Sequence, residues 1–291
     1  MVGKITGLIG QSVSAFLADG ALSHGAAIAY YTIFALAPVL LIAIAIAGLV
    51  FGHDAAQGAI VDQLSGLMGQ QSAEALQSML KSASTARSSM LATVIGVATL
   101  LVTATGVFSE IQTSLNAIWR AEPRTSAVSR LIRARLVSLG LVLALGFLLT
   151  VSLAVSAALA ALGTYLNGVF PAISVLLHIA NFTISFVLMA LLFAAIYKFL
   201  PDTSIAWRDV GTGALATSLL LTIGKSLIGL YIGSSQVASS YGAAGALIVI
   251  LTWIYYSAQI FLLGAEFTKC YAHSHGSRSA EEGPTLPAGR G

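Results

Sequence analysis

Six long apolar segments constrain this chain more than any other feature, because each is long enough to cross a membrane as a helix. About 20 apolar residues span the hydrocarbon core, and these runs are continuous, whereas strands of a membrane barrel would alternate. Of all residues 57% are hydrophobic and 9% charged, too little charge for the surface of a soluble domain. The sequence predicts an all-α polytopic membrane protein with spans at 26–51, 89–108, 136–162, 172–197, 209–232 and 242–267.

The basic residues orient these spans. Eleven of the fourteen Lys and Arg residues fall on one side of the predicted bundle, Lys81 and Arg87 fall on the other, and Lys225 lies inside a span. Positive-inside bias therefore predicts that both termini are cytoplasmic. The second connection carries five arginines, which either set the topology or bind anionic lipid: Arg120, Arg124, Arg130, Arg133 and Arg135.

Three segments lie outside the spans. Apolar residues between 5 and 20 recur with helical spacing, which predicts an amphipathic helix on the inner membrane surface or packed under the bundle. Residues 52–87 carry two such patterns and are expected to form a short helical cap on the outer side. Residues 272–291 carry a single large apolar side chain, Leu286, and are expected to be a disordered cytoplasmic tail, which leaves 1–271 as a single membrane domain.

The sequence offers no pattern of catalytic or cofactor-binding residues. The eleven acids are scattered, no HExxH or DxD cluster occurs, and neither a P-loop nor a GxSxG elbow is present. A metal-dependent nuclease would need several carboxylates or histidines converging on a cation. We therefore expect no enzymatic activity, no cofactor and no metal site.

Polar residues fall on one face of four predicted spans. In the second, fourth, fifth and sixth spans they recur three or four residues apart, so these faces must point away from lipid. Hydroxyls and glycines of this kind either pack helices together or line a path for a substrate. The candidates for such a path, with two tyrosines of the first span, are Pro38, Tyr30, Tyr31, Thr103, Glu110, His178, Asn181, Thr222, Lys225, Thr252, Tyr256, Gln259 and Glu266.

Lys225 is the sharpest of these candidates, because an ammonium inside a membrane usually faces a partner or a water-filled cavity. Snorkelling to the outer interface is the alternative. The available partners of Lys225 are Asp54 and Asp62 of the cap or an anionic ligand. His178 and Asn181 lie at a similar depth in the membrane. These positions predict a basic and polar outer pocket.

Two acids lie near the opposite, cytoplasmic boundary. The rise of a helix places Glu110 and Glu266 about 30 Å from the outer ends of their spans. We expect them to form an acidic inner vestibule and to meet Arg208, His24 or Lys269.

Pro38 interrupts the first span close to the middle of the membrane. Proline removes one backbone hydrogen bond and clashes with the carbonyl four residues back, here that of Phe34. Broken helices at this depth form hinges or substrate sites in many transporters, although a static kink that only shapes packing would look the same. Tyr30 and Tyr31 could cap the freed carbonyls or lie at the inner interface.

Four stretches resemble the YihY/BrkB family of bacterial inner-membrane proteins: "AIAYYTIFALAPVLL" (27–41), "GVFSEIQTSLNAIW" (106–119), "LPDTSIAWRDVGTGAL" (200–215) and "SSYGAAGALIVILTWIYYSAQIFLLGAE" (239–266). The resemblance covers residues 19–271. It implies an inner-membrane location and an architecture closer to a transporter than to a catalyst, and the family also carries an older ribonuclease BN-like label.

Two functions follow as hypotheses. The first is a secondary transporter or lipid translocator for an amphiphilic or anionic cargo, which requires a water-accessible cavity lined by the four polar faces. The second is a non-transporting scaffold or envelope-integrity protein that binds anionic lipid or a partner, and its interior should be dry and close-packed. A membrane-bound ribonuclease ranks below both. Membrane lipids are expected partners, nucleic acid is not, and a homo-oligomer is left open.

Overall fold

The computed structural model describes residues 2–68, 73–81 except 75 and 79, 106–121, 173–234 and 243–278, together with 140, 144, 146–148, 150–152, 154–159 and 161. Regular structure in this part of the chain is helical, without a strand, so the all-α prediction is confirmed there. The helices are α1 (Val2–Ala18), α2 (Ala21–Phe51), α3 (His53–Met68), α4 (106–119), α5 (Ile173–Phe199), α6 (Trp207–Ser234) and α7 (Ala243–Ser274).

Three helices are long and apolar enough to cross a membrane, and α2 adds a fourth candidate. The three segments are Val175–Phe199, Trp207–Tyr231 and Leu247–Ser274. Helix α2 passes the same test as two pieces, Ala21–Leu36 and Val39–Phe51, which meet at an angle of 50°. The expected second and third spans lie largely outside the described residues, so the count of six remains a prediction.

The bend in α2 falls where the sequence places Pro38. Proline cannot donate the backbone hydrogen bond that would continue the ladder, and its ring pushes against the preceding turn. The predicted kink is therefore confirmed.

Single glycines with left-handed backbone separate the first three helices. Gly20 has φ 67° and Gly52 has φ 84°. The carbonyl of Gly20 accepts from the N–H of Ser23, and that of Gly52 accepts from the N–H of Ala56, so each glycine also starts the next helix. A side chain would strain either position. Helix α2 thus begins at Ala21, five residues before the predicted span.

Helix α7 is central, packing on α6, α2 and α1, and α6 also packs on α5. One end of the bundle, the terminal end, gathers the α1–α2 junction, the loop 200–206 and the last turns of α7, with a core around Leu115, Tyr197 and Leu262. The opposite end, the cap end, carries α3 on a second core around Ile44, Ile60 and Ile250. Helix α3 lies where the outer cap was expected.

Glycines bring α6 and α7 into close contact. A Cβ on Gly264 would collide with Thr217 and lie 2.8 Å from the Tyr197 hydroxyl, and one on Gly213 would collide with Thr268. Small residues at such positions allow close approach of membrane helices. The interface between α6 and α7 is therefore tightly packed.

The outer faces of α5 and α6 are apolar, as expected of helices that contact lipid. The bulky apolar side chains exposed there include Val175, Leu176, Ile179, Phe182, Leu219, Ile223, Leu227 and Leu230. Contiguous apolar exposure on this scale is unusual for a soluble protein.

Helix α1 divides its expected apolar face. Leu8 and Phe16 are buried against the bundle together with Ser12, whereas the neighbouring row of Ile9, Val13 and Leu17 is exposed. The expected face is thus only half used for packing.

The tail departs from prediction, because residues 272–278 are ordered. Helix α7 continues to Ser274, and the N–H and hydroxyl of Ser277 donate to the carboxylate of Asp209, the latter at 2.6 Å. Asp209 is fully buried, so its charge needs these donors. A polar segment is ordered here because it satisfies a buried acid.

Candidate functional site

A cavity of about 530 Å³ opens at the cap end, between α3, α5 and the helical residues near 156. Its walls are mainly apolar. The lining residues are Phe51, Ala55, Ala56, Ala59, Asp62, Ser156, Ala157 and Asn181.

Three polar side chains give the cavity its chemistry. The hydroxyl of Ser156 donates to the amide oxygen of Asn181 at 3.0 Å, which fixes the amide and leaves its NH₂ group to donate elsewhere. Asp62 adds a carboxylate on the exposed side of α3. The site therefore offers both an anionic acceptor and neutral hydrogen-bonding groups beside apolar walls.

The expected basic outer pocket is wrong in one respect: Lys225 does not line this cavity. The buried residues Gly224 and Ile228 mark the face of α6 that packs on α7. Lys225 lies one residue further, about 100° round the helix, and is exposed. It forms no ion pair with Asp54, Asp62 or any other described residue, and Asp54 instead lies 3.6 Å from His53.

The predicted polar faces are mostly engaged in packing. Of the predicted residues, Thr222 donates to the carbonyl of Ser218, four residues back on its own helix. The unpredicted Thr217 and Thr268 bond in the same way on α6 and α7. Thr252 is half-buried, and His178 is exposed on α5, three residues before Asn181. Thr103 lies outside the described residues.

The remaining candidates on α2 and α7 occupy separate places. Tyr30 is 60% exposed and Tyr31 41% exposed, so neither is buried against a carbonyl freed by Pro38. The ring of Tyr256 lies against Gly224. The amide nitrogen of Gln259 donates to the carbonyl of Leu22 at 3.3 Å. These side chains do not converge on one site.

At the terminal end both expected acids find the predicted kind of partner. The carboxylate of Glu110 lies 3.4 Å from Nδ1 of His24, and that of Glu266 lies 3.4 Å from Nζ of Lys269. These pairings are confirmed. An open acidic vestibule is not found among the described residues, because the side chain of Glu266 is 0% exposed.

Lys269 also binds Asp19, which the sequence did not single out. Its Nζ lies 2.8 Å from Oδ2 of Asp19. Partial burial acts to raise the pKa of Asp19, but hydrogen bonds from Lys269 and Glu266 and the charges of Lys269 and Arg120 outweigh it, so this pKa lies below its usual value. The sequence did contain a signal for Asp19, because this acid stands next to Gly20 between two segments with helical spacing.

The loop 200–206 is held by two further contacts that the sequence did not predict. The carboxylate of Asp202 accepts from Asn116 at 2.8 Å and from Gln112 at 3.2 Å. Arg278 donates to Thr203 and lies over the ring of Trp119. The polar residues of the two quoted motifs at 106–119 and 200–215 therefore bind each other.

Of the five arginines expected to set topology or bind lipid, the structure describes Arg120. It is exposed at the end of α4, in left-handed backbone with φ 48°. Arg124, Arg130, Arg133 and Arg135 lie outside the described residues.

Comparison with known proteins gives a family match over most of the chain. Residues 12–287 match the family described as Virulence factor BrkB. A UPF0761 membrane protein from Alcanivorax borkumensis is 31% identical over 271 residues, 88% of this chain and 58% of the relative. Another, from Rhodospirillum centenum, is 27% identical over 283 residues, 96% of this chain and 60% of the relative. The chain thus spans about three fifths of their length. No solved structure matches it.

Proposed function

The chain belongs to the virulence factor BrkB family of membrane proteins, and on that premise we propose that it is a secondary transporter or lipid translocator of the bacterial inner membrane. Its cargo is an amphiphilic molecule that enters the cavity at the cap end. The observation that carries this proposal is the composition of that cavity, with alanines and Phe51 on its walls and Asp62, Ser156 and Asn181 as its polar groups.

The size and chemistry of the cavity support an amphiphile. A volume of about 530 Å³ falls within the roughly 300–1,000 Å³ common for small-molecule sites, which combine apolar walls with a few polar groups. The apolar part of the cargo lies against Phe51 and Ala59, and its polar part reaches Asp62 and Asn181. The anionic alternative loses support, because the charged residue in the described lining is an acid.

The bent helix α2 supports movement around this site. Its second piece, Val39–Phe51, ends at Phe51, which lines the cavity, while its first piece begins at the terminal end with Ala21 and Ile28 in the core there. A rotation about the 50° bend would therefore change the shape of the cavity. Pro38 is the proposed hinge.

The orientation follows from charge. Described basic residues that gather at the terminal end include Arg120, Lys198, Lys269 and Arg278. Positive-inside bias places that end in the cytoplasm and the cavity on the outer side.

A flippase assay on liposomes tests the proposal. The probe is phosphatidylethanolamine with a fluorescent acyl chain, and its exposure is measured by chemical quenching. Ala59→Leu fills the cavity and should abolish the protein-dependent exposure, whereas Ala45→Leu, on an exposed face of α2 away from the cavity, should behave as wild type. Asp62→Asn should slow it up to about fivefold, as loss of one partly exposed ionic contact predicts. Equal rates in all variants would refute the assignment of this cavity.

The tight packing between α6 and α7 supports a second candidate, the scaffold, for which an interior without a central cavity is expected. In that function the basic terminal end binds anionic lipid or a partner, or joins copies of the chain. A complementation experiment distinguishes the two functions. Variants are expressed in a cell that lacks the protein and has a weakened envelope, and recovery of the envelope is measured. A scaffold with Ala59→Leu should restore the envelope fully, and a translocator with the same change should not.

A further inference from the structure

One ammonium group serves two carboxyl groups at the terminal end. Nζ of Lys269 lies 2.8 Å from Oδ2 of Asp19 and 3.4 Å from Oε2 of Glu266. Asp19 and Lys269 are mostly buried, and Glu266 is completely so. With both acids ionised, this cluster would hold an uncompensated negative charge in the interior of the bundle.

Glu266 is poorly placed to carry that charge. Its Oε1 is buried and receives no hydrogen bond from the described residues. An ionised carboxylate accepts at both oxygens, and burying one with an empty acceptor is costly. A protonated carboxyl group avoids the charge and gains a donor.

Asp19 is the natural acceptor for that donor. The carboxyl groups of Asp19 and Glu266 are neighbours, because an oxygen of each contacts the same Nζ of Lys269, at 2.8 Å and 3.4 Å. Two carboxylates cannot both be ionised in such contact at low cost, and the usual solution is one shared proton. Because the pKa of Asp19 lies below its usual value, Asp19 remains the carboxylate and the proton falls to Glu266.

We propose that Asp19, Glu266 and Lys269 form a proton-binding site, in which protonated Glu266 donates to the carboxylate of Asp19. Lys269 compensates the single remaining charge. Loss of the proton leaves two carboxylates beside one ammonium group. The two carboxylates repel each other, and this repulsion loosens the contact between α7 and the α1–α2 junction. Proton release is therefore coupled to the packing of α7, the central helix.

The surrounding groups favour a proton over a metal ion at this site. The charged or titratable neighbours include Cys270 on α7 and Arg120 at the end of α4. The other acids described at this end have partners of their own: Glu110 is paired with His24, Asp202 accepts from Asn116, and Asp209 accepts from Ser277. No three His, Cys, Asp or Glu side chains in the described ranges lie close enough to hold a metal ion. Lys269 already occupies the position between the two acids that a cation would take.

Infrared spectroscopy of the full chain in lipid nanodiscs tests the site directly. Wild type should show the carbonyl stretch of a protonated carboxylic acid at neutral pH, and this band should disappear as the pH is raised. Glu266→Gln, which keeps the shape of the side chain, should lose the band at neutral pH, where ordinary carboxyl groups are ionised. Glu74→Gln removes an exposed acid near the cap end and should leave the band unchanged. A band absent from wild type, or retained in Glu266→Gln, would overturn the proposal.

A second variant tests the shared pair. Asp19→Asn removes the carboxylate that competes for Lys269, so Glu266 should ionise more easily and its band should disappear at lower pH than in wild type. The same titration in both proteins would show that the two acids do not share the proton.

The use of this proton in transport rests on the proposed function. If lipid exposure by wild type depends on pH and that by Glu266→Gln does not, the site drives the translocator. The infrared result stands without any transport, so a liposome assay without activity would count against the translocator while leaving the proton site intact.

Discussion

Gly264 offers a quantitative test of how closely α6 and α7 approach. An added Cβ would collide with the Thr217 side chain and lie 2.8 Å from the hydroxyl of Tyr197. That hydroxyl pairs with Thr217 at 3.0 Å and donates to the carbonyl of Phe261 at 2.7 Å, in fully buried surroundings. Overpacking costs about 1–3 kcal/mol, and breaking a buried hydrogen bond costs about 1–3 kcal/mol more. After a gain of about 1 kcal/mol in helix propensity, Gly264→Ala should lose about 1–5 kcal/mol of stability.

Thermal unfolding in detergent measures this effect, and the chain supplies its own control. A loss of that size should lower Tm by about 2–20 °C. At Gly229, in the partner helix α6, a Cβ would meet nothing within 4 Å, so Gly229→Ala should leave Tm equal or slightly higher. Thr217→Ala should recover part of the loss when combined with Gly264→Ala, because it removes the colliding atoms. If Gly264→Ala and Gly229→Ala have the same Tm, the close approach of α6 and α7 is refuted.

Two other predictions concern charge. In the folded protein the pKa of Asp19 lies below its usual value of 3.8. The ion pair of Asp19 therefore stabilises the protein fully above pH 3.8, and this stabilisation is lost as the pH falls through the lower pKa of the folded state. The Tm of Asp19→Asn should therefore lie below wild type at neutral pH, and the difference should shrink in acid. For the orientation, cysteines placed at 163–167 or 234–240 in a Cys270→Ser background should react with an impermeant reagent outside the cell, and those at 126–129 should not. Reaction in the opposite sense would contradict the cytoplasmic placement of the termini.

The sequence predicted the fold where a single segment carries enough information. Helix length, the kink at Pro38 and the pairing of Glu110 with His24 follow from apolar run length, proline chemistry and depth along a helix. The packing face of α6 did not follow. Thr222 and Lys225 share a polar stripe in the sequence, but Gly224, the residue before Lys225, is where α6 approaches α7 closely. The spacing of polar residues does not predict where a small residue will allow a neighbouring helix to approach.

Long-range polar contacts escaped prediction for a related reason. Asp19 and Lys269 are 250 residues apart, and Asn116 and Asp202 are 86 apart. No local pattern marks one residue as the partner of the other. The first part of the tail, residues 272–278, was misjudged in the same way, since its composition is that of a disordered segment and its order depends on a buried acid in another helix.

The contact of Asp209 with Ser277 has a consequence for how the chain is made. Asp209 is synthesised 68 residues before Ser277, so the start of α6 must be delivered to the membrane while the donors for its carboxylate do not yet exist. Until α7 has been inserted and the chain has turned back, that acid needs water or lipid headgroups. The terminal end of the bundle therefore closes last, and biogenesis should be most vulnerable in the interval between the insertion of α6 and the arrival of Ser277.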